Sequence, residues 1–132
     1  MKELTRAQRE FLENPYIGVA TTLRPDGSPH STPLWVDVDQ EGVSFNTAWP
    51  RAKPRHLAAD PRVSLVVVDP GDELRWLAIT GTATLVEEGA NEQIDKLARK
   101  YRGHERYRSH RAGETRVTVR ISPTWIEGRR LD

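Results

Sequence analysis

Turn signals cut this chain into runs too short and too rich in β-branched residues to do anything but fold back on one another. Residues 16–23 form the first such run, and Arg24-Pro25-Asp26-Gly27 follows, where glycine supplies a positive φ at little cost. Residues 30–38 then alternate, with Leu34, Val36 and Val38 pointing one way and Trp35 and Asp37 the other. Asp39-Gln40-Glu41-Gly42 turns the chain again, and Val43, Phe45 and Thr47 resume the alternation. Three strands in succession predict an antiparallel meander.

Helical patterns interrupt the strands. Thr5-Arg6-Ala7-Gln8 reads as a capping box that opens a short helix, which Asn14-Pro15 ends. Residues 51–60 read as a second helix with a proline in its first turn, stopped by Asp60-Pro61. Residues 63–68 are nearly all apolar, which predicts a strand buried on both faces. Pro70-Gly71-Asp72 leads into a long strand over 74–86, where Gly81 marks a bulge or a barrel corner. A third helix over 91–101 carries an apolar stripe of Ile94, Leu97, Ala98 and Tyr101. Residues 103–113 predict a surface loop, and 115–126 a last strand. The expectation is a mainly β fold of six antiparallel strands with short flanking helices, one domain over residues 1–132. A closed or partly closed barrel suits it, because closure hides sheet edges.

Several chemistries drop out on composition. The 132 residues include no cysteine, which removes disulfides, thiolate metal sites and cysteine nucleophiles together. His30, His56, His104 and His110 show no zinc-ligand spacing. A net charge of +1 does not call for nucleic acid, and no apolar run approaches the roughly 20 residues of a membrane span. A cytoplasmic protein with neither metal nor nucleic acid is expected.

One segment concentrates positive charge. Phe45-Asn46-Thr47-Ala48-Trp49-Pro50-Arg51-Ala52-Lys53-Pro54-Arg55 runs from a strand end into a helix start. Cations there oppose the helix dipole by about 0.3–1 kcal/mol each, so Arg51, Lys53 and Arg55 together point to a ligand phosphate or carboxylate. Taken singly, each is better read as a solvated side chain. Residues 99–111 form a second basic run, with Tyr101 and Tyr107 among the cations. A solvated helix end is the first reading of it, an acidic cofactor tail the second and nucleic acid the last. Trp49 is the tryptophan placed for ligand contact, whereas Trp76 and Trp125 are assigned to packing, His56 to a satisfied or exposed side chain and Asp37 to an exposed strand carboxylate.

In order along the chain, the segments Tyr16-Ile17-Gly18-Val19-Ala20-Thr21-Thr22, Pro25-Asp26-Gly27, Ser31-Thr32-Pro33-Leu34-Trp35-Val36, Phe45-Asn46-Thr47, Arg51-Ala52-Lys53, Asp60-Pro61-Arg62-Val63-Ser64-Leu65 and Gly81-Thr82-Ala83 resemble the pyridoxamine-phosphate-oxidase-like split barrels. The resemblance covers residues 5 to 127. It implies a homodimer with cofactor sites at the subunit interface. Asn46 and Thr47 would contact the phosphate or ribityl region and Lys53 the phosphate, with Arg51 and Arg55 as auxiliary cations. Ser31, Thr32, Pro33, Leu34 and Trp35 fall where the ring would lie. The chain departs from the FMN-dependent oxidases: its second strand offers Leu34, Trp35, Val36 and Asp37 with no cation, and Ala52 stands where an arginine often precedes the lysine. What remains resembles the short branch that uses coenzyme F420, a deazaflavin. The implied activity is hydride transfer between reduced F420 and a small organic substrate, with FMN as the alternative cofactor. A non-catalytic carrier or sensor of flavin, F420 or tetrapyrrole is the alternative role. No catalytic side chain is assigned, because the cofactor carries the chemistry.

Overall fold

The computed structural model describes residues 3–131, in the order α1 (Arg6–Glu13), β1 (Gly18–Leu23), β2 (Pro29–Leu34), β3 (Val36–Asp39), β4 (Gly42–Trp49), α2 (Ala52–Ala59), β5 (Arg62–Asp69), β6 (Asp72–Val86), α3 (Ala90–Arg102) and β7 (Thr115–Arg129). All strands join one antiparallel sheet in the order β2-β1-β5-β6-β7-β4-β3. The expected six strands are seven, because the run over 30–38 breaks at Trp35. Its halves pair with different partners, β2 with β1 and β3 with β4, so the expected three-strand meander is two hairpins.

That break explains the shape. Strands β2 and β3 are the two ends of the sheet order, yet only Trp35 separates them. In a flat seven-stranded sheet the edge strands would stand about 29 Å apart, at six spacings of roughly 4.8 Å. One residue cannot bridge that gap, so the sheet curls until its ends meet, forming a split barrel. The alternation continues through the break differently from expectation: Val36 and Asp37 are both buried, one in the core and one beneath α3.

The core is the barrel interior, filled by Phe45, Leu65, Val67, Leu77, Ile79 and Val119 and closed by Phe11 and Leu12 of α1. Helix α1 carries the capping box the sequence announces: the Thr5 hydroxyl accepts from the Gln8 backbone at 3.1 Å and the Gln8 side chain from the Thr5 backbone at 2.9 Å. The strand expected to be buried on both faces is not. In β5, Val63, Leu65 and Val67 face the core while Val66 and Val68 are exposed, because no helix among the described residues covers that outer face. The predicted bulge is present, as the β6–β7 register shifts between Thr80 and Gly81. Trp125, expected in the packing, is 58% exposed on β7.

Helix α3 lies over β4 and β7 through a polar layer. Gln93 donates to Asp37 at 3.2 Å and to Ser44 at 2.9 Å, and accepts from Thr118 at 2.9 Å and from Asn46 at 3.0 Å. Asp37, expected to be an exposed carboxylate, is 4% exposed and pairs with Lys96 at 2.9 Å. No helix among the described residues is long and apolar enough to cross a membrane.

Candidate functional site

The end of β2, the outer face of β4 and α3 line an open cleft of about 210 Å³. Pro33, Leu34 and Trp35 form one wall, Asn46 and Arg51 a second, and Ile94 and Leu97 of α3 a third. Tyr107 from the loop after α3 and Arg116 from the start of β7 complete the lining. Five residues singled out in the sequence therefore converge here: Pro33, Leu34, Trp35, Asn46 and Arg51.

The others are placed differently. Ser31 faces outward, its hydroxyl 2.8 Å from that of Thr21. Thr32 carries a buried hydroxyl without a hydrogen-bond partner among the described residues. Thr47 is buried within β4, and Trp49 is half-buried at its end. Lys53 is half-buried in the first turn of α2, and Arg55 lines a separate, solvent-facing cleft with Arg24, His56 and Arg62.

Helix α2 supports an anion-binding reading on two grounds. Its N-cap, Arg51, makes no side-chain cap bond, which leaves the first-turn N–H groups without that acceptor. Lys53 forms no hydrogen bond or ion pair among the described residues, and burial, then the Arg51 charge, pushes its ammonium below the ordinary lysine range. Nearby, the His56 Nδ1 lies 2.8 Å from the Thr22 hydroxyl, and its ring meets His30 edge-on at 5.1 Å. Burial holds both imidazoles below their usual value. The charges of Arg24 and Lys53 add to this at His30, and those of His30, Arg55, Arg24 and Lys53 at His56.

Arg51 is less available than the sequence suggests. Its Nε and Nη2 donate to Glu114 at 2.5 and 2.9 Å. That paired bond, first, holds the Glu114 carboxyl below the usual carboxylate range and raises the Arg51 guanidinium. Asn46 is likewise engaged, donating to Ala90 and Gln93 and accepting from Arg116 at 3.3 Å. Sequence reasoning missed Glu114 and Arg116, and met Tyr107 only as part of the second basic run. The signal for Arg116 was present in the alternation of β7, where Arg116, Thr118 and Arg120 share the face opposite Val117, Val119 and Ile121. What lay over that face was not readable.

Trp35 is fixed by its neighbours. Its ring stacks on Tyr101 at 5.5 Å and meets Tyr107 edge-on at 6.1 Å. Tyr101 and Tyr107, the two tyrosines of the 99–111 run, are both half-buried. Among the described residues no group of three or more His, Asp or Glu side chains is placed to hold a metal.

The sequence model of the pyridoxamine 5'-phosphate oxidase family matches residues 4–130. The chain belongs to that family. Among its relatives is the F420H(2)-dependent biliverdin reductase of Mycobacterium tuberculosis (strain CDC 1551 / Oshkosh), 29% identical over 112 residues, or 84% of this chain and 77% of the relative. A solved F420 reductase superposes with a TM-score of 0.79 at 27% identity, covering 94% of this chain and 98% of that one. A conserved hypothetical protein of Mycobacterium tuberculosis gives a TM-score of 0.74 at 25% identity, covering 96% and 84%. The family resemblance drawn from the ordered motifs is thus shown, and with it the split-barrel fold.

Proposed function

We propose that this chain is an oxidoreductase that transfers a hydride between reduced coenzyme F420 and a small organic acceptor, working as a homodimer. The observation that carries the reading is Lys53: a half-buried ammonium without a partner among the described residues, in the uncapped first turn of α2. Such a group fits a cofactor phosphate, which would complete both the charge and the helix terminus. The two reductases similar to this chain and named for F420 support deazaflavin over FMN, as does the lack of any cation between Leu34 and Asp37. When bound, the cofactor supplies the hydride. The protein's part is to hold the phosphate at Lys53, to line the ring with β2 and to exclude water with Leu34, Trp35 and Tyr107.

The dimer reading rests on an exposed apolar face. Ile17, Val19, Val66, Val68 and Leu74 are each 40–48% exposed, and Val19 and Val66 are cross-strand neighbours. A contiguous apolar face of this kind is characteristic of an interface, and a second copy of the chain is its proposed occupant.

Titration with F420 and with FMN, followed by tryptophan fluorescence, tests the cofactor assignment. Micromolar or tighter binding of F420, weakened about tenfold or more in Lys53→Ala by loss of a charge-assisted contact, supports it. Preferential FMN binding, or F420 affinity indifferent to Lys53, overturns it. F420 binding without reoxidation of the reduced form by any acceptor, biliverdin included, would make the protein a carrier.

A further inference from the structure

We propose that Arg116 is the carboxylate anchor of the cleft, receiving an organic acid on the Nε–Nη2 edge of its guanidinium. The inference supplies a substrate class for the hydride-transfer reading and rests on that reading for the role of the bound acid. The binding itself is testable without cofactor.

Arg116 is only 6% exposed. Its Nη1 donates to Asn46 at 3.3 Å, and the Tyr107 ring covers the guanidinium face at 4.6 Å. Its Nε and Nη2 are both buried and have no hydrogen-bond partner among the described residues. These two nitrogens form one edge of the planar group, the fork that takes a carboxylate through two parallel bonds. The neighbouring Arg51 shows the same fork filled, with Glu114 at 2.5 and 2.9 Å. Glu114 stands 3.7 Å from the Arg116 Nη2, an ion pair too long for a hydrogen bond. Two guanidinium groups thus share one carboxylate, and one buried positive charge is left over. A buried charge with unmet donors is costly, and an incoming carboxylate would satisfy both donors and the charge at once.

The walls say what the acid is attached to. Leu34, Trp35, Ile94 and Leu97 are apolar or aromatic, so the body of the ligand is apolar and flat enough to lie beside an indole. About 210 Å³ falls below the roughly 300–1,000 Å³ of pockets for drug-sized ligands. The site therefore takes a single-ring acid or one carboxylate arm of a larger acceptor. The Nε–Nη2 edge is sealed from water in this structure, so a carboxylate reaches it only when the groups covering that edge give way.

Benzoate, benzamide and inorganic phosphate are the probes, titrated into the full-length protein while the side-chain Nε–H resonance of Arg116 is followed by 15N NMR. The resonance is identified by its absence in Arg116→Lys. Saturable benzoate binding that moves this resonance, about tenfold or more tighter than benzamide and lost in Arg116→Lys, is the expected result. Equal binding of acid and amide, no saturation at tens of millimolar, an unmoved resonance, or a preference for phosphate overturns the proposal. Should Arg116→Lys fail to fold, the acid–amide comparison on the unaltered protein decides. An F420 titration run in parallel separates the two readings: benzoate failure with intact F420 binding removes only the anchor, and the converse removes only the cofactor assignment.

Discussion

Tyr101 serves two backbone groups with one hydroxyl: it donates to the Tyr16 carbonyl at 2.7 Å and accepts from the Val36 N–H at 2.9 Å. Burial pushes its phenol up to about 12, so it stays protonated and able to do both throughout the physiological range. Beside it Lys100 donates to the carbonyls of Leu12 and Val36 at 2.6 Å each, with burial lowering its ammonium to about 8. Tyr101→Phe leaves both Tyr101 partners unmet and is expected to cost about 1–3 kcal/mol, read from urea denaturation. His30 and His56 give a pH-dependent signature. Their folded values lie below the ordinary 6.5, so the unfolded chain binds protons first as pH falls. Their contribution is complete above about pH 6.5 and is lost progressively as pH drops towards the lowered folded values. Denaturation midpoints at pH 7.5, 6.5 and 5.5 should decline in that order, and the decline should be shallower in a His30→Asn, His56→Gln double variant.

Among the elements, the long pair β6 and β7 forms the back of the barrel, and its bulge bends it. A Cβ at Gly81 would lie 2.2 Å from the Ser122 carbonyl oxygen, an approach that only glycine permits. Because the obstacle is backbone, it cannot rotate away. Gly81→Ala is expected to destabilise by about 1–3 kcal/mol or more through forced strand separation, visible as a lower melting temperature and faster amide exchange at Thr80 and Ser122. Helix α3 acts at the same scale. It holds Trp35 through Tyr101 and builds the cleft wall with Ile94 and Leu97, so the site depends on a helix distant in sequence from the basic segment at residues 51–55.

For the molecule as a whole, the face made by β1, β5 and the outer side of β6 is the one on which the proposed dimer rests. Val66 lies within it, 40% exposed and paired with Val19 and Ala78. Val66→Arg places a charge there without touching the core. Sedimentation should show a dimer for the unaltered protein and a monomer for the variant, with the melting temperature of the monomer close to that of the parent at low concentration. A variant that remains dimeric would move the interface to another face.

Local chemistry made much of this protein readable in advance. The capping box, the Gly27 and Gly42 turns, the Gly81 bulge and the stripe of α3 depend on residues near one another in sequence, and each is where the residues required it. The ordered motifs carried the family, since a motif series survives even when identity is low. Properties set by distant contacts were not readable. Alternation alone cannot show that residues 30–38 change partners at Trp35, because both halves have the same period. An apolar run reads alike whether its outer face meets a helix or is left bare, so Val66 and Val68 were assigned to the interior. Asp37, Asn46, Glu114 and Arg116 have their roles from what α3 and the following loop bring over them. Only the curl of the sheet and the packing of that helix decided which cations were already paired and which guanidinium edge was left without an acceptor.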